Sequence, residues 1–183
     1  MSGPRHVIES IEGEYRRYKS LGEAVIAQLS QEELAVHASA ESLSIATLVW
    51  HMSGNLESRF TDFLTADGEK PWRHRETEFE DRMGDRDQLI EKWERGWVAL
   101  FQALEALTDE DLDRSIAIRG VALTVCEALH RSLAHASYHA GQIVYIGKML
   151  RGEDWSYLSI PPGASVAYNA NPTLERAPGH SAT

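Results

Sequence analysis

Two histidines four residues apart, His135 and His139, stand within the long helical stretch Thr124 to Leu150, and His51 stands in an earlier one. Each helical residue advances about 100°, so positions four apart lie roughly 40° from each other on one face. Two imidazoles so placed can hold one metal ion, and a third from a neighbouring helix completes a three-histidine set. Such a set leaves coordination positions open, which separates a catalytic metal from a closed structural one. Neutral imidazole suits zinc, nickel, copper or iron. An open position lets the ion take water, or a substrate thiol or oxygen, and lower its pKa toward neutrality. The expected catalytic group is therefore metal-bound water or thiol, with no protein nucleophile identified. No G-x-S-x-G and no H-E-x-x-H occurs in the chain.

Helix geometry puts His135 and His139 on the flank of an apolar stripe formed by Val125, Leu129, Leu133, Ala136, Ala140, Ile143, Gly147 and Leu150. Small neighbours, among them Ser132, Ala136, Ala140 and Gly141, allow another helix to approach closely. His51 lies one turn from Leu48 and borders an apolar face. Metal-ligating histidines need partners that fix their tautomers, and Asn55, Gln142, Tyr138 and Ser132 fall within helical reach. The competing reading is two partly buried or surface imidazoles without a metal. His6, His37, His74, His130 and His180 have no comparable geometry, and His130 is expected to be exposed. Cys126 reads as a small core residue, and the acidic residues read mostly as a solvated surface.

Four long helical segments must position these groups. The first runs from about His6 to Leu29, the second from Ser44 to Leu64, the third from Arg86 to Leu107 and the fourth from Thr124 to Leu150. Their apolar residues recur at threes and fours: Ile8, Ile11 and Tyr15 in the first; Leu48, Met52 and Leu56 in the second; Leu89, Trp93, Trp97, Leu100 and Leu104 in the third. Ser30 to Glu33 and Thr124 to Glu127 have capping-box spacing. The stretch Ile116 to Leu123, with Arg119-Gly120 at its centre, reads as a small hairpin. The fold expected is all-α: a four-helix bundle with a hairpin before the last helix, as one domain over residues 1–172 and a flexible tail over 173–183.

Two segments resist a helical reading. Thr65 to Gly84 exceeds the ~2–8 residues usual between bundle helices, and loops of that length are functional or disordered. The segment from Glu153 onward is rich in Pro, Gly, Ala and Asn, with Trp155, Tyr157, Leu158 and Ile160 expected to pack its first part on the body. If both lie at the metal-bearing end, Trp72, Arg73 and the Ser159 to Gly163 turn shape a pocket over the metal, with Arg73 meeting a substrate carboxylate. The alternative is that Trp72 packs under its loop and Arg73 pairs with a local glutamate.

The 183 residues suffice for one substantial core, and 43% are hydrophobic. Eighteen basic against 28 acidic residues give a net charge of −10, which argues against binding nucleic-acid backbones or an anionic membrane. One cysteine permits no intrachain disulfide. The first twenty residues lack the apolar core of a signal peptide, and no apolar run approaches the ~20 residues of a membrane span, so a cytoplasmic location is the expectation.

Trp50-His51-Met52-Ser53-Gly54-Asn55, together with His135-Ala-Ser-Tyr-His139-Ala-Gly-Gln142-Ile143, resembles the DinB/YfiT-like superfamily. Lys70 to Phe79 and Leu158 to Ser165, followed by Tyr168-Asn169, resemble a bacterial branch of uncharacterised DinB-like proteins. The resemblance covers about residues 6–172. It implies a four-helix bundle, frequently homodimeric, with a divalent metal on His51, His135 and His139. Zinc or nickel comes first, with iron or manganese as alternatives. It also implies a metal-dependent enzyme that transfers a low-molecular-weight thiol co-substrate to an electrophilic small molecule, or else a metal-dependent hydrolase. Many members have no known activity, so a non-catalytic metal-binding helical module stands as the reading from another class.

Overall fold

The computed structural model describes residues 3–80 and 85–175. Each expected long helix forms where its apolar residues recur. They are α1 (His6–Gln28), α3 (Ile45–Phe60), α4 (Arg86–Glu105) and α5 (Val125–Arg151), with the one-turn α2 (Gln31–Leu34) after the first. Their starts are set by side chains that satisfy otherwise unpaired backbone N–H groups. Ser44 caps α3 through Thr47 N–H, and Asp85 caps α4 through Asp87 N–H. Complete capping boxes, Ser30 with Glu33 and Thr124 with Glu127, open α2 and α5.

The second long helix ends four residues earlier than its apolar pattern suggested. Thr61 is extended and Asp62 adopts a left-handed φ of 48°, which breaks the helical ladder. Phe63 still reaches the core from beyond the helix end.

Around the bundle the order is α1, α5, α3, α4. The close pairs are α3 with α4 and α1 with α5, while the α3–α5 and α1–α4 seams stand wider apart. Side chains must fill these wider seams. In the α1–α4 seam, Tyr15, Trp93 and Trp97 pack edge to face. The α3–α5 seam receives His51 from one helix and His135 and His139 from the other.

Strands β1 (Ser115–Ile118) and β2 (Val121–Thr124) pair antiparallel just before α5. Their two-residue turn, Arg119-Gly120, has positive φ at both positions (55° and 73°), as tight hairpins require. The Asp67 carboxylate accepts the N–H groups of both turn residues, and Gly68 N–H donates to Ala117 O. The backbone N–H groups of Glu69, Gly120 and Arg119 hold the Asp67 carboxyl down to about 2. The first part of the long Thr65 to Gly84 segment is thereby tied to the hairpin. Ser58 ties it to α3, accepting from Lys70 N–H and donating to Gly68 O. The next part forms a 3-10 turn over Arg75–Phe79 against α3, and residues 81–84 lie outside the described residues.

After α5, Trp155 is buried, and Gln28 bonds Ser156 through both its amide atoms. A short α6 (Ser165–Asn169) follows. Within the expected flexible tail, Thr173 and Leu174 donate their N–H groups to the Tyr168 hydroxyl, and Leu174 O accepts from Arg17. Residues 176–183 of that tail lie outside the described residues. No helix among the described residues is long and apolar enough to cross a membrane.

Candidate metal centre

His51, His135 and His139 converge across the α3–α5 seam, each offering a ring nitrogen within 4.8 Å of the other two. His135 Nε2 lies 3.2 Å from His51 Nε2 and 3.1 Å from His139 Nε2. Nitrogens bound at ~2.0–2.1 Å to one tetrahedral ion stand roughly 3.3 Å apart. The spacing therefore fits a shared ion. No fourth His, Cys, Asp or Glu joins the cluster among the described residues.

Two of the rings are oriented from behind. His51 Nδ1 lies 3.0 Å from Glu78 Oε2, and a carboxylate can only accept there. The proton thus sits on Nδ1 and leaves the Nε2 lone pair facing the other histidines. His139 Nδ1–H donates to Gln142 Oε1 at 2.7 Å, with the same result. Carboxylate or carbonyl partners behind ligating imidazoles fix both tautomer and ring direction. His51 is further held by Phe79, whose ring centroid lies 4.7 Å away.

Glu78 is itself locked. Arg73 Nε donates to Oε1 at 2.8 Å and Arg73 Nη2 to Oε2 at 2.9 Å, a two-pronged pair with both side chains buried. Burial pushes the Glu78 carboxyl up, but the hydrogen bonds from Arg73 and His51 outweigh it and hold it below the usual carboxylate range. The carboxylate lies against α3 at Gly54, where a Cβ would overlap Glu78 Oε1. Gly54 stands one turn beyond His51, so the helix leaves room for the group that aims its own ligand.

Burial, and then the nearby His139, His51, Arg73 and Arg59, push the His135 imidazole down to about 3. Burial likewise lowers His139, opposed by its hydrogen bond to Gln142. Both rings are neutral at pH 7, the form that binds metal.

Beside the rings opens a cavity of about 220 Å3, reached by His51, His135 and Asn55. Arg73 lines it while engaged with Glu78, in keeping with the alternative that it pairs with a local glutamate. Trp72 is half exposed and does not line the cavity. Neither do the residues of the Ser159 to Gly163 turn. Tyr138 is exposed, with its ring edge-on to His139 at 5.0 Å. Ser132 is buried in the cavity wall. His130 is exposed and bonds Cys126 O, while Cys126 is half-buried.

Sequence reasoning missed Glu78, taking the acidic residues for a solvated surface. Its signals were indirect: a glycine one turn from His51, and an arginine five residues before a glutamate in an overlong loop. No curated protein matches the chain. A family model does, over residues 4–164, and the chain belongs to that family, described as "Protein of unknown function (DUF1572)".

Proposed function

We propose that this protein is a metal-dependent enzyme of the DinB/YfiT type, with His51, His135 and His139 as ligands to zinc or nickel. The observation that carries the reading is the convergence of three Nε2 atoms, two of them aimed by Glu78 and Gln142 through Nδ1. A divalent ion held by three imidazoles acts as a Lewis acid that lowers the pKa of a thiol or water at its open position. Arg73 keeps Glu78 ionised and placed, Glu78 keeps the His51 proton on Nδ1, and Gln142 does the same for His139. Asn55 lines the adjoining cavity, where its amide can orient a substrate.

The favoured reaction is transfer of a small thiol. The thiol loses its proton to solvent, sulfur bonds to an electrophilic carbon, and the leaving group departs with its electron pair. Hydrolysis uses the same open position and is the second reading. A non-catalytic metal-binding module is the reading from another class. The protein acts in the cytoplasm on a small molecule, without nucleic acid or membrane. It works as a homodimer, for which the resemblance and the exposed stripe of Tyr138, Tyr145 and Met149 along α5 are the support.

Elemental analysis of the purified protein should give one divalent ion per chain, and none in His135→Ala at unchanged helicity. A screen of small thiols against alkylating electrophiles then separates transfer from hydrolysis. Equal metal content in the variant would sink the metal assignment. Light scattering at the mass of a 20.5 kDa monomer would sink the dimer.

A further inference from the structure

The cavity beside the histidines contradicts the charge of the molecule around it. The chain carries −10 overall, yet five arginines and no carboxylate line this one space. They are Arg59, Arg73, Arg75, Arg119 and Arg131, brought from α3, the long loop, the hairpin turn and α5. Three glutamates outside the cavity wall partly neutralise them. Glu78 holds Arg73, Glu76 holds Arg75, and Glu69 alone serves Arg59, Arg119 and, at 3.6 Å, Arg73. Asp67, which holds the Arg119 turn and acts on Arg59, adds a fourth carboxylate, so five guanidiniums against four carboxylates leave an excess of one positive charge. Arg131, one turn before His135, makes no ion pair among the described residues.

Assembling like charges beside buried imidazoles is unfavourable unless something of opposite sign joins them. The fold fixes Arg59, Arg73 and the Arg119 backbone there, while the side chains of Arg75, Arg119 and Arg131 are exposed to solvent. Arg119 sits at positive φ, in a turn whose N–H groups are both held by Asp67. Arg59 is fastened to Gly68 O and Glu69. The rest of the wall is apolar: Phe60 and Phe63, with ring centroids 5.0 Å apart, face the same space as Ile118 and Ala128. At about 220 Å3 the cavity is smaller than the ~300–1,000 Å3 of sites for drug-sized ligands.

We propose that this cavity binds a small organic acid, its anionic head on Arg131 and Arg119 and its short apolar body against Phe60, Phe63 and Ile118. The inference rests on the proposed function in taking the cavity as the substrate site, and it names the substrate class. A carboxylate suits the planar guanidinium fork, and the aromatic wall gives an inorganic anion nothing to bind.

Calorimetric titration at low ionic strength, on purified protein of measured metal content, tests it with 3-phenylpropionate, 3-phenylpropanol and inorganic phosphate. The acid should bind at least tenfold tighter than the alcohol and tighter than phosphate. Arg131→Gln and Arg119→Gln should each reduce that preference severalfold at unchanged metal content and melting temperature. An acid that fails to bind, that binds no better than the alcohol, or that keeps its preference in both variants would overturn the proposal. Phosphate binding as tightly as the acid would overturn the organic-acid class. Protein that neither carries nor takes up a divalent ion, yet shows the acid preference and its loss in the variants, would sink the metal-dependent reading and leave this inference standing.

Discussion

The two wider seams of the bundle solve one geometric problem with opposite chemistry. Between α1 and α4 the gap is filled by Trp93 and Trp97, both fully buried, with the Trp93 ring over Gly22, where a Cβ would lie 2.6 Å from it. Neither indole N–H finds a protein acceptor among the described residues. An unmet donor costs ~1–3 kcal/mol. Burying an indole removes roughly 200 Å2 from water, worth about 5 kcal/mol at ~25 cal/mol/Å2. Burial wins, and that seam is built for stability. Between α3 and α5 the gap is filled by three imidazoles beside a cavity, and the hydrogen bonds behind two of them are complete. Each seam uses a glycine to admit its large group, Gly22 for an aromatic ring and Gly54 for a carboxylate. One seam spends its space on packing and the other on aimed lone pairs.

The two seams separate most strongly at Trp97. Trp97→Ala should cost ~3–5 kcal/mol, lowering the melting temperature by roughly 10 °C, while folded protein keeps its full metal content. Thermal melts followed by metal analysis of the folded fraction check both halves. Metal lost in step with stability would show that the seams are not separable.

Glu78→Gln sharpens the other side. The amide keeps the volume but cannot hold the His51 proton as a carboxylate does, so zinc affinity should fall ~10–100-fold, about 1.4–2.8 kcal/mol. Arg73 keeps an ion pair only through the 3.6 Å contact to Glu69, so some loss of stability accompanies it. Competition with a zinc chelator reads the affinity directly. Gly54→Ala, which displaces Glu78 without removing it, should move affinity the same way, and unchanged affinity in both would leave Glu78 a structural residue.

A smaller effect follows from protonation. His135 is held down to about 3 in the fold, against an ordinary histidine value near 6.5, and His139 is lowered too. Between these values the unfolded chain takes up protons that the folded chain refuses. The stability these rings allow is complete above about pH 6.5 and is lost as the pH falls. For His135, which is not fully buried, the loss from pH 7 to 5 should be at most about 2 kcal/mol in chelator-treated protein. Denaturant melts at both pH values check it. His135→Ala should flatten the dependence, and Trp97→Ala should leave it intact.

Much of this was legible in the residues themselves. Apolar spacing marked all four long helices, Ser44 and Thr124 marked two of their starts, and Arg119-Gly120 marked the hairpin turn. The pair His135 and His139 could be read because both stand on one helix, where a spacing of four fixes their relation. His51 followed from its place at the edge of an apolar face. Gln142, three residues from His139, fell to the same local rule.

Only the tertiary structure decided what stands behind and beside those rings. Glu78 lies 27 residues from His51, in an irregular segment with no period to say which way a side chain points. Arg73 was visible as a basic residue in an overlong loop, but whether it faced a ligand or a glutamate depended on where the loop came to rest. The five-arginine cavity draws on α3, the loop, the hairpin and α5, and no local spacing rule links them. Sequence determines what a single helix turns toward one face, because its geometry repeats. It does not determine which irregular segment docks on that face, because that follows from long-range contacts such as Asp67 on the hairpin turn and Ser58 on the loop.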